Sequence, residues 1–197
     1  MIFADLLLAH KAQLGKAEAR FSSPDNADFK RHLAGAATRV SMKRQRWVSA
    51  ELEAVAGQSD YPAPSDSYEF ATTDWGKGLI GNPWDEGFVG WIPRMIGIEI
   101  ASMPYWRLVP EPSSAQIARW GATVHYTYFA KHEISATRIT LADADQPLVL
   151  LAALIEAMRE LSADTTVVQL QKGLVGLPTA GTPAYLYEKL LAEWERA

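Results

Sequence analysis

Residues 76 to 81 read Gly-Lys-Gly-Leu-Ile-Gly, a glycine spacing that binds a dinucleotide pyrophosphate when it joins a strand to a helix. Here the glycines run into Asn82-Pro83-Trp84 and a further glycine, so no helix N-terminus follows to receive a phosphate. The Gly-Lys-Ser/Thr ending of a P-loop is also missing. The spacing therefore predicts no nucleotide site.

The same stretch holds aromatic and acidic side chains that could recognise a ligand or a partner. They are Trp75, Trp84 and Trp91, with Asp74, Asp85 and Glu86. Aromatic faces beside acidic acceptors suit a carbohydrate, whereas tryptophans among mobile glycines suit a protein interface. A loop that closes over the core of its own chain is a third interpretation. The interface interpretation makes Trp75, Trp84, Phe88 and Trp91 candidate contact residues.

The histidines do not have the spacing of a metal site. His125 and His132 are seven residues apart, which in a regular strand places them on opposite faces. His10 and His32 fall on predicted helices without a second type of ligand nearby. The chain has no cysteine, and no nucleophile elbow, HExxH or EF-hand spacing is found. We therefore predict a protein that is not an enzyme, with no catalytic residue, no cofactor and no metal.

Charge is distributed unevenly along the 197 residues. The first 50 carry nine basic and four acidic residues, a charge of +5 within a total of −4, which leaves −9 for the rest. This pattern favours a solvated helix face or contact with an acidic protein neighbour, with Arg44 and Arg46 as candidate interface residues. DNA contact through the basic stretch from Lys30 to Arg46 is the alternative. No run of about 18 apolar residues occurs, so the sequence predicts no membrane contact.

Apolar periodicity predicts the elements that must position these residues. Helices are expected over 2–14 and 25–47, the second with Phe29, Leu33, Ala36, Val40 and Trp47 as its buried stripe. The sequences PRMIGIEIASM, PYWRLVPEP and GATVHYTYFAKH are typical of strands, and LVLLAALIEAMREL predicts a central apolar helix. Thr182 and Pro183 begin a last helix, which carries the candidate residues Tyr185, Tyr187 and Trp194.

This order predicts an α+β fold that is mainly α. We expect a helical bundle of two N-terminal helices, a central apolar helix and a C-terminal helix, with a small antiparallel β-sheet and a long loop inserted. The whole chain, 1–197, is expected to be a single domain. The strand-and-loop insert is predicted at 48–140, and a flexible connector with the C-terminal helix at 173–197.

Three phrases carry a resemblance to a known family. The predicted second helix is followed by VAGQSDYPAPSD, the sheet region reads WRLVPEPSSAQIARWGATVHYTYFAKH, and the central helix reads DQPLVLLAALIEAMRELSA. In this order they resemble the head-to-tail adaptor proteins of tailed bacteriophages, also called connector or head-completion proteins. The resemblance covers roughly residues 2 to 165 and rests on the residue composition of these segments and on their order along the chain.

The resemblance implies a structural virion protein of the phage neck, assembled in the host cytoplasm. Such a protein forms a ring, commonly of twelve copies, beneath the portal protein. It offers a docking surface to a tail, stopper or terminator protein and leaves a channel for DNA that passes without sequence-specific binding. The resemblance also implies that the C-terminal helix docks against the portal. The Gly/Trp stretch, residues 72 to 91, is longer than the family pattern requires, and we interpret it as an inter-subunit or tail-facing loop. A carbohydrate-binding or cell-wall-associated module using Trp75, Trp84 and Trp91 is the alternative.

Overall fold

The computed structural model describes residues 2–79, 83–84, 88–171 and 181–197, without the side chains of 164–171. These residues contain α1 Phe3–Leu14, α2 Ala27–Ser41, α3 Ser114–Trp120, α4 Gln146–Gln171 and α5 Pro183–Arg196. They also contain β1 Arg46–Glu53, β2 Asp60–Pro62, β3 Ser67–Thr73, β4 Arg94–Ile100, β5 Met103–Val109 and β6 Thr123–Ala130. Within them, no helix is both long enough and apolar enough to cross a membrane.

Contacts divide the chain into two compact units. The helical unit comprises Met1–Arg44 and His132–Ala197, and the β unit comprises Gln45–Lys131. This division into units does not test whether the chain is a single domain with an insert at 48–140, which therefore stays a prediction. Most of the predicted connector, residues 173–180, lies outside the described residues.

The helical unit is built around α4. Helices α1, α2 and α5 all pack against α4, whose apolar residues occur on nearly every side of the helix. Four of the five residues predicted for the buried stripe of α2 are buried as expected: Phe29, Leu33, Ala36 and Val40. Because α4 is apolar around its circumference, it can support several helices at once.

The predicted start of the last helix is confirmed by a hydrogen bond, whereas α2 begins at Ala27, later than the predicted start at residue 25, and has no side-chain cap from the residue that precedes it. Before α2, Ser23 Oγ accepts a hydrogen bond from the Asp28 backbone N–H at 2.8 Å, and the Asp28 carboxylate accepts one from the Ser23 N–H at 3.2 Å. Before α5, Thr182 Oγ1 accepts from the Tyr185 N–H at 3.3 Å. Each bond satisfies backbone groups that a helix end otherwise leaves unpaired.

The predicted length of the second helix is wrong. Helix α2 ends at Ser41, and Trp47 lies in β1 with 61% of its surface exposed, so it is not part of the buried stripe. Along β1, Val48, Ala50 and Leu52 pack towards the core of the β unit while the alternate residues face water. This period of two is satisfied by pairing with β6, and a helix would break it.

The predicted helical bundle with one small sheet is also wrong, because the described residues form two three-stranded antiparallel sheets in a mixed α+β fold. The first sheet has the strand order β1-β6-β3 and the second β2-β5-β4. The ring of Trp106 in the second sheet lies 6.0 to 6.4 Å from those of Phe70, Tyr126 and Tyr128 in the first. Each sheet therefore covers the aromatic inner face of the other, and this is why the strands divide into two layers.

Candidate functional site

Trp75 closes over the core of the β unit. It is 5% exposed, its indole N–H donates to the Gly121 carbonyl oxygen at 2.9 Å, and its ring meets that of Trp120 edge to face at 5.2 Å. Gly76 follows with a positive φ of 75°, and a Cβ there would lie 2.8 Å from the Trp120 ring. The first glycine of the GxGxxG spelling is thus required by close packing.

Trp84 and Trp91 face water. Their exposed fractions are 82% and 62%, and the partly buried Phe88 meets Trp91 edge to face at 5.4 Å. The backbone of Trp91 is held, because the buried side chain of Gln116 donates to its carbonyl oxygen at 2.9 Å. Gln116 also completes a capping box with Ser113 at the start of α3. The fold therefore fixes Trp91 at its backbone and leaves its ring in solvent.

Several residues of the predicted loop site lie outside the described residues. They are Asp85 and Glu86, two of the acidic residues considered for carbohydrate binding, and Ile80 and Gly81 of the glycine spelling.

Both candidate arginines are engaged inside their own units. In the helical unit, Arg44 Nε lies 3.2 Å from Asp145 Oδ1. In the β unit, Arg46 Nη1 lies 3.3 Å from Asp66 Oδ2 and donates to the Lys131 carbonyl oxygen at 3.3 Å. Ion pairs this close to solvent contribute at most about 1 kcal/mol, so a partner could still displace them.

The three aromatic residues of α5 differ in exposure. Trp194 is buried in the core of the helical unit, where Lys43 lies over its ring at 5.0 Å and donates to its carbonyl oxygen. Tyr187 is half-buried against the same core. Tyr185 is also partly exposed, with the Lys189 ammonium 5.3 Å from its ring centre. Trp194 therefore anchors α5, and Tyr185 is better placed for a contact.

A buried polar chain links three helices of the helical unit. His10 Nε2 lies 3.2 Å from His32 Nδ1, and His32 Nε2 lies 3.0 Å from Glu160 Oε2. Arg31 Nη2 donates to both carboxylate oxygens of Glu160 at 2.8 Å. Because the carboxylate can only accept, His32 Nε2 is the donor and His32 Nδ1 accepts from His10. The two histidines therefore donate their hydrogen bonds in one direction, from His10 in the core towards Glu160 at the surface.

Burial makes both histidines less basic than a free imidazole. Burial, and secondarily the positive charge that His32 can carry, lower the pKa of His10 to about 4. Burial also lowers the pKa of His32, although the carboxylate of Glu160 opposes the shift. The sequence did not indicate this pair, because 22 residues separate His10 from His32 and no local pattern joins them. Within the described residues, no group of three or more His, Asp or Glu residues is placed to hold a metal ion.

The outer faces of the two sheets have different chemistry. The first sheet is polar on its outer face apart from Trp47 and Phe129: Ser49, Glu51, Glu53, Thr123, His125 and Thr127. The second is largely apolar: Ile96, Ile98, Ile100, Met103, Tyr105 and Val109, with Arg94 and Arg107. A solvated face of an antiparallel sheet normally carries polar residues. The second sheet therefore has an apolar outer face that the described chain leaves partly open.

A groove of about 840 Å³ follows the facing edges of β3 and β4 in the β unit. Its walls include residues 67–70 and 94–99, and Trp106 lies among its lining residues. Sequence reasoning identified β4 as a strand, but it could not tell that β4 would be an edge. That position follows from the pairing of β5 with both β2 and β4.

The comparisons with known proteins leave the chain without a family assignment. No protein-family model matches it, and no curated protein is significantly similar to it.

Proposed function

We propose that this chain is a structural protein of a tailed-phage neck, a head-to-tail adaptor that forms a ring beneath the portal and receives the tail. The observation that carries the proposal is the apolar surface of the β unit. Trp84, Trp91 and Ile100 are exposed, and Ile96 and Ile98 on the outer face of β4 are half-buried. Contiguous exposed apolar surface marks a protein that is completed by another protein.

The arrangement of the two units supports the same role. A β unit inserted between Arg44 and His132 of a helical unit gives each subunit a packed helical body and a separate contact module. The helical body is held by α4 and by the buried polar chain, while the apolar contact residues are concentrated in the β unit. In the proposed ring, copies meet side to side and the tail protein meets exposed aromatic residues.

Two features count against the alternatives. A sugar platform of three tryptophans loses Trp75, which is buried against Trp120, and keeps Trp84 and Trp91. The DNA interpretation is weakened because Arg31, Arg39 and Arg44 pair with acidic residues of their own unit. Because a passing DNA must slide, steep salt dependence of duplex binding would favour DNA recognition over the adaptor role.

The proposal is tested by the native mass of the chain, alone and mixed with the portal protein of the same genome. A ring-sized species, formed alone or on the portal, is expected. Trp84→Ala with Trp91→Ala should weaken tail attachment or ring formation while the chain stays folded, since both rings are exposed. If the protein binds neither portal nor tail, and oligosaccharides quench its tryptophan fluorescence, the adaptor role is wrong and carbohydrate binding is the better explanation.

A further inference from the structure

Two of the four edge strands in the described sheets are regular enough for strand addition, and the free side of one of them, β4, borders the groove that it shares with β3. An edge strand presents unpaired N–H and C=O groups, which another extended chain can match. Strand β2 has three residues and ends in Pro62, and the pairing of β3 is interrupted by two register shifts. Strands β1 and β4, with eight and seven residues, pair without any shift. Proline and bulges protect β2 and β3, whereas β1 and β4 stay regular.

The two regular edge strands carry complementary faces. On the inner side, β1 presents Val48, Ala50 and Leu52, and β4 presents Met95 and Gly97. On the outer side, β1 carries acidic residues at its end and β4 carries a basic residue at its start: Glu51, Glu53 and Arg94. Arg94 has no ion-pair partner among the described residues, and Glu53 accepts a hydrogen bond from the Thr123 hydroxyl at 3.0 Å. Neither charge is neutralised within the described chain.

One antiparallel register satisfies both faces at once. Placing Arg94 opposite Glu53 sets the following residues of β4 and β1 opposite each other: Met95 and Leu52, Gly97 and Ala50, Ile98 and Ser49, Ile100 and Trp47. Inner positions then meet inner positions along the whole strand, as a shared sheet requires, with the exposed Glu99 opposite Val48 near the end of β4. The small residues Gly97 and Ala50 meet at the centre, and Glu51 lies on the diagonal to Arg94.

We propose that strand β1 of one copy of this chain adds to strand β4 of a second copy as an antiparallel neighbour, with Arg94 opposite Glu53. The charge complementarity of the two strands selects a second copy as the occupant. Because β1 and β4 belong to different sheets, the contact is heterologous, and each copy keeps one regular edge for the next. The proposal concerns self-association and does not depend on the adaptor role.

Charge exchange tests the register. By sedimentation velocity over a wide concentration range, Arg94→Glu alone and Glu53→Arg alone should each weaken self-association about tenfold, because like charges then face each other. The double variant, Arg94→Glu with Glu53→Arg, should recover to within about threefold of the parent chain. Glu188→Arg is the matched control, since Glu188 is an exposed glutamate on α5 of the helical unit, outside both strands, and the self-association of this variant should be unchanged.

Disulfide trapping tests the same register independently of affinity. The chain has no cysteine, so a variant with Ser49→Cys and Ile98→Cys can form disulfides only at the two introduced positions. Oxidation should give a ladder of covalent multimers, because these residues are opposite each other in the proposed pair. The control with Ser49→Cys and Ile96→Cys is shifted by two residues and should give little ladder.

Each result decides the proposal separately from the adaptor role. A ladder with recovery by charge exchange supports the pairing, even if the protein ignores a portal. A ring-sized assembly that forms no ladder and is insensitive to both charge changes overturns the pairing and leaves the adaptor role standing. A strict dimer that is insensitive to Glu53→Arg also overturns it, because the contact would then not use β1. A chain that stays monomeric and gives no ladder, with or without a portal, overturns both.

Discussion

The helical unit and the β unit depart from the usual burial pattern in opposite ways: one buries polar side chains and the other exposes apolar ones. The helical unit encloses polar groups, since His10 and His32 lie in its core and reach solvent through Glu160. The β unit exposes apolar groups, since Trp84, Trp91 and much of the outer face of β4 and β5 meet water. Both arrangements cost free energy in the isolated chain, so each indicates a requirement beyond stability.

This difference indicates that the helical unit is built to adopt one particular packing, whereas the β unit is built to contact other molecules. The hydrogen bonds that join His10 to His32 and His32 to Glu160 favour one packing of α1, α2 and α4, because a shift of any of these helices breaks them. An exposed apolar face has no such internal partner, and its free energy is recovered when another surface covers it. The predictions below test this contrast, beginning with the largest expected effect.

The inner face of the β unit should be its most sensitive part. Trp106→Ala should lower the free energy of unfolding of this unit by about 3–5 kcal/mol, because Trp106 is buried between the sheets against Phe70 and Tyr126. Urea denaturation with hydrogen exchange of the β6 amides would measure the loss. Trp47→Ala, an exposed tryptophan on an outer face, should cost about 1 kcal/mol through its contact with Phe129. Equal losses at the two sites would remove the distinction between inner and outer faces.

Acid should destabilise the helical unit through His10. Its folded pKa of about 4 lies below the ordinary 6.5, so between these values the unfolded chain binds a proton that the folded chain does not. The stabilisation is complete above pH 6.5 and declines as the pH falls towards 4, by about 3 kcal/mol in total.

Denaturation at a series of pH values would measure this slope. His10→Gln should flatten it, because glutamine can donate to His32 but does not titrate. His125→Gln is the matched control, since His125 is an exposed histidine of the β unit, paired with Glu51 at 3.0 Å, and the acid slope should persist. An unchanged slope in the His10 variant would contradict the assignment of the slope to the buried chain.

The two glycines at 76 and 78 should separate the closed part of the loop from its open part. Both have positive φ, 75° and 78°, but a Cβ at Gly76 meets Trp120 at 2.8 Å whereas a Cβ at Gly78 meets nothing within 4 Å. Gly76→Ala should lower the free energy of unfolding by about 2 kcal/mol, through both the contact with Trp120 and backbone strain. Gly78→Ala should lower it by about 1 kcal/mol, through backbone strain alone. Thermal unfolding monitored by tryptophan fluorescence compares them. A larger loss at Gly78 would argue against packing as the requirement at Gly76.

The smallest effect is expected on the outer face of β4. Ile98→Thr should change the free energy of unfolding of the monomer by no more than about 0.5 kcal/mol, since its side chain is already half-exposed. Met95→Thr, on the inner face of the same strand, should cost about 2 kcal/mol, because Met95 is buried. Chemical denaturation at low protein concentration measures both. A large loss for Ile98→Thr would show that this face already has a partner within the chain.

Local chemistry explains which parts of the fold the sequence predicted. Helix α1, the apolar α4, the cap of α5 and strands β4 to β6 were all indicated by periodicity or capping residues, which act over a few neighbours. The long second helix failed because Trp47 fitted a helical stripe by spacing, while Val48, Ala50 and Leu52 also satisfied the alternation of a strand. Pairing with β6 favoured the strand.

The candidate contact residues show the same limit. Trp75 and Trp84 stand in one glycine-rich stretch and are equivalent by composition, yet one is 5% and the other 82% exposed. The distinction comes from Trp120 and Gly121, which lie more than 40 residues further along the chain and provide the cover and the hydrogen-bond acceptor for Trp75.

By itself, the sequence determined where most helices and strands lie and which cap begins the last helix, because turns, caps and apolar periods are local interactions. Only the tertiary structure decided that the strands form two sheets, that His10 meets His32, and that β1 and β4 are regular edge strands. The physical reason is that alternation defines two faces of a strand but does not say which face will be covered. Covering a face requires residues distant in sequence, and those contacts exist only in the folded chain.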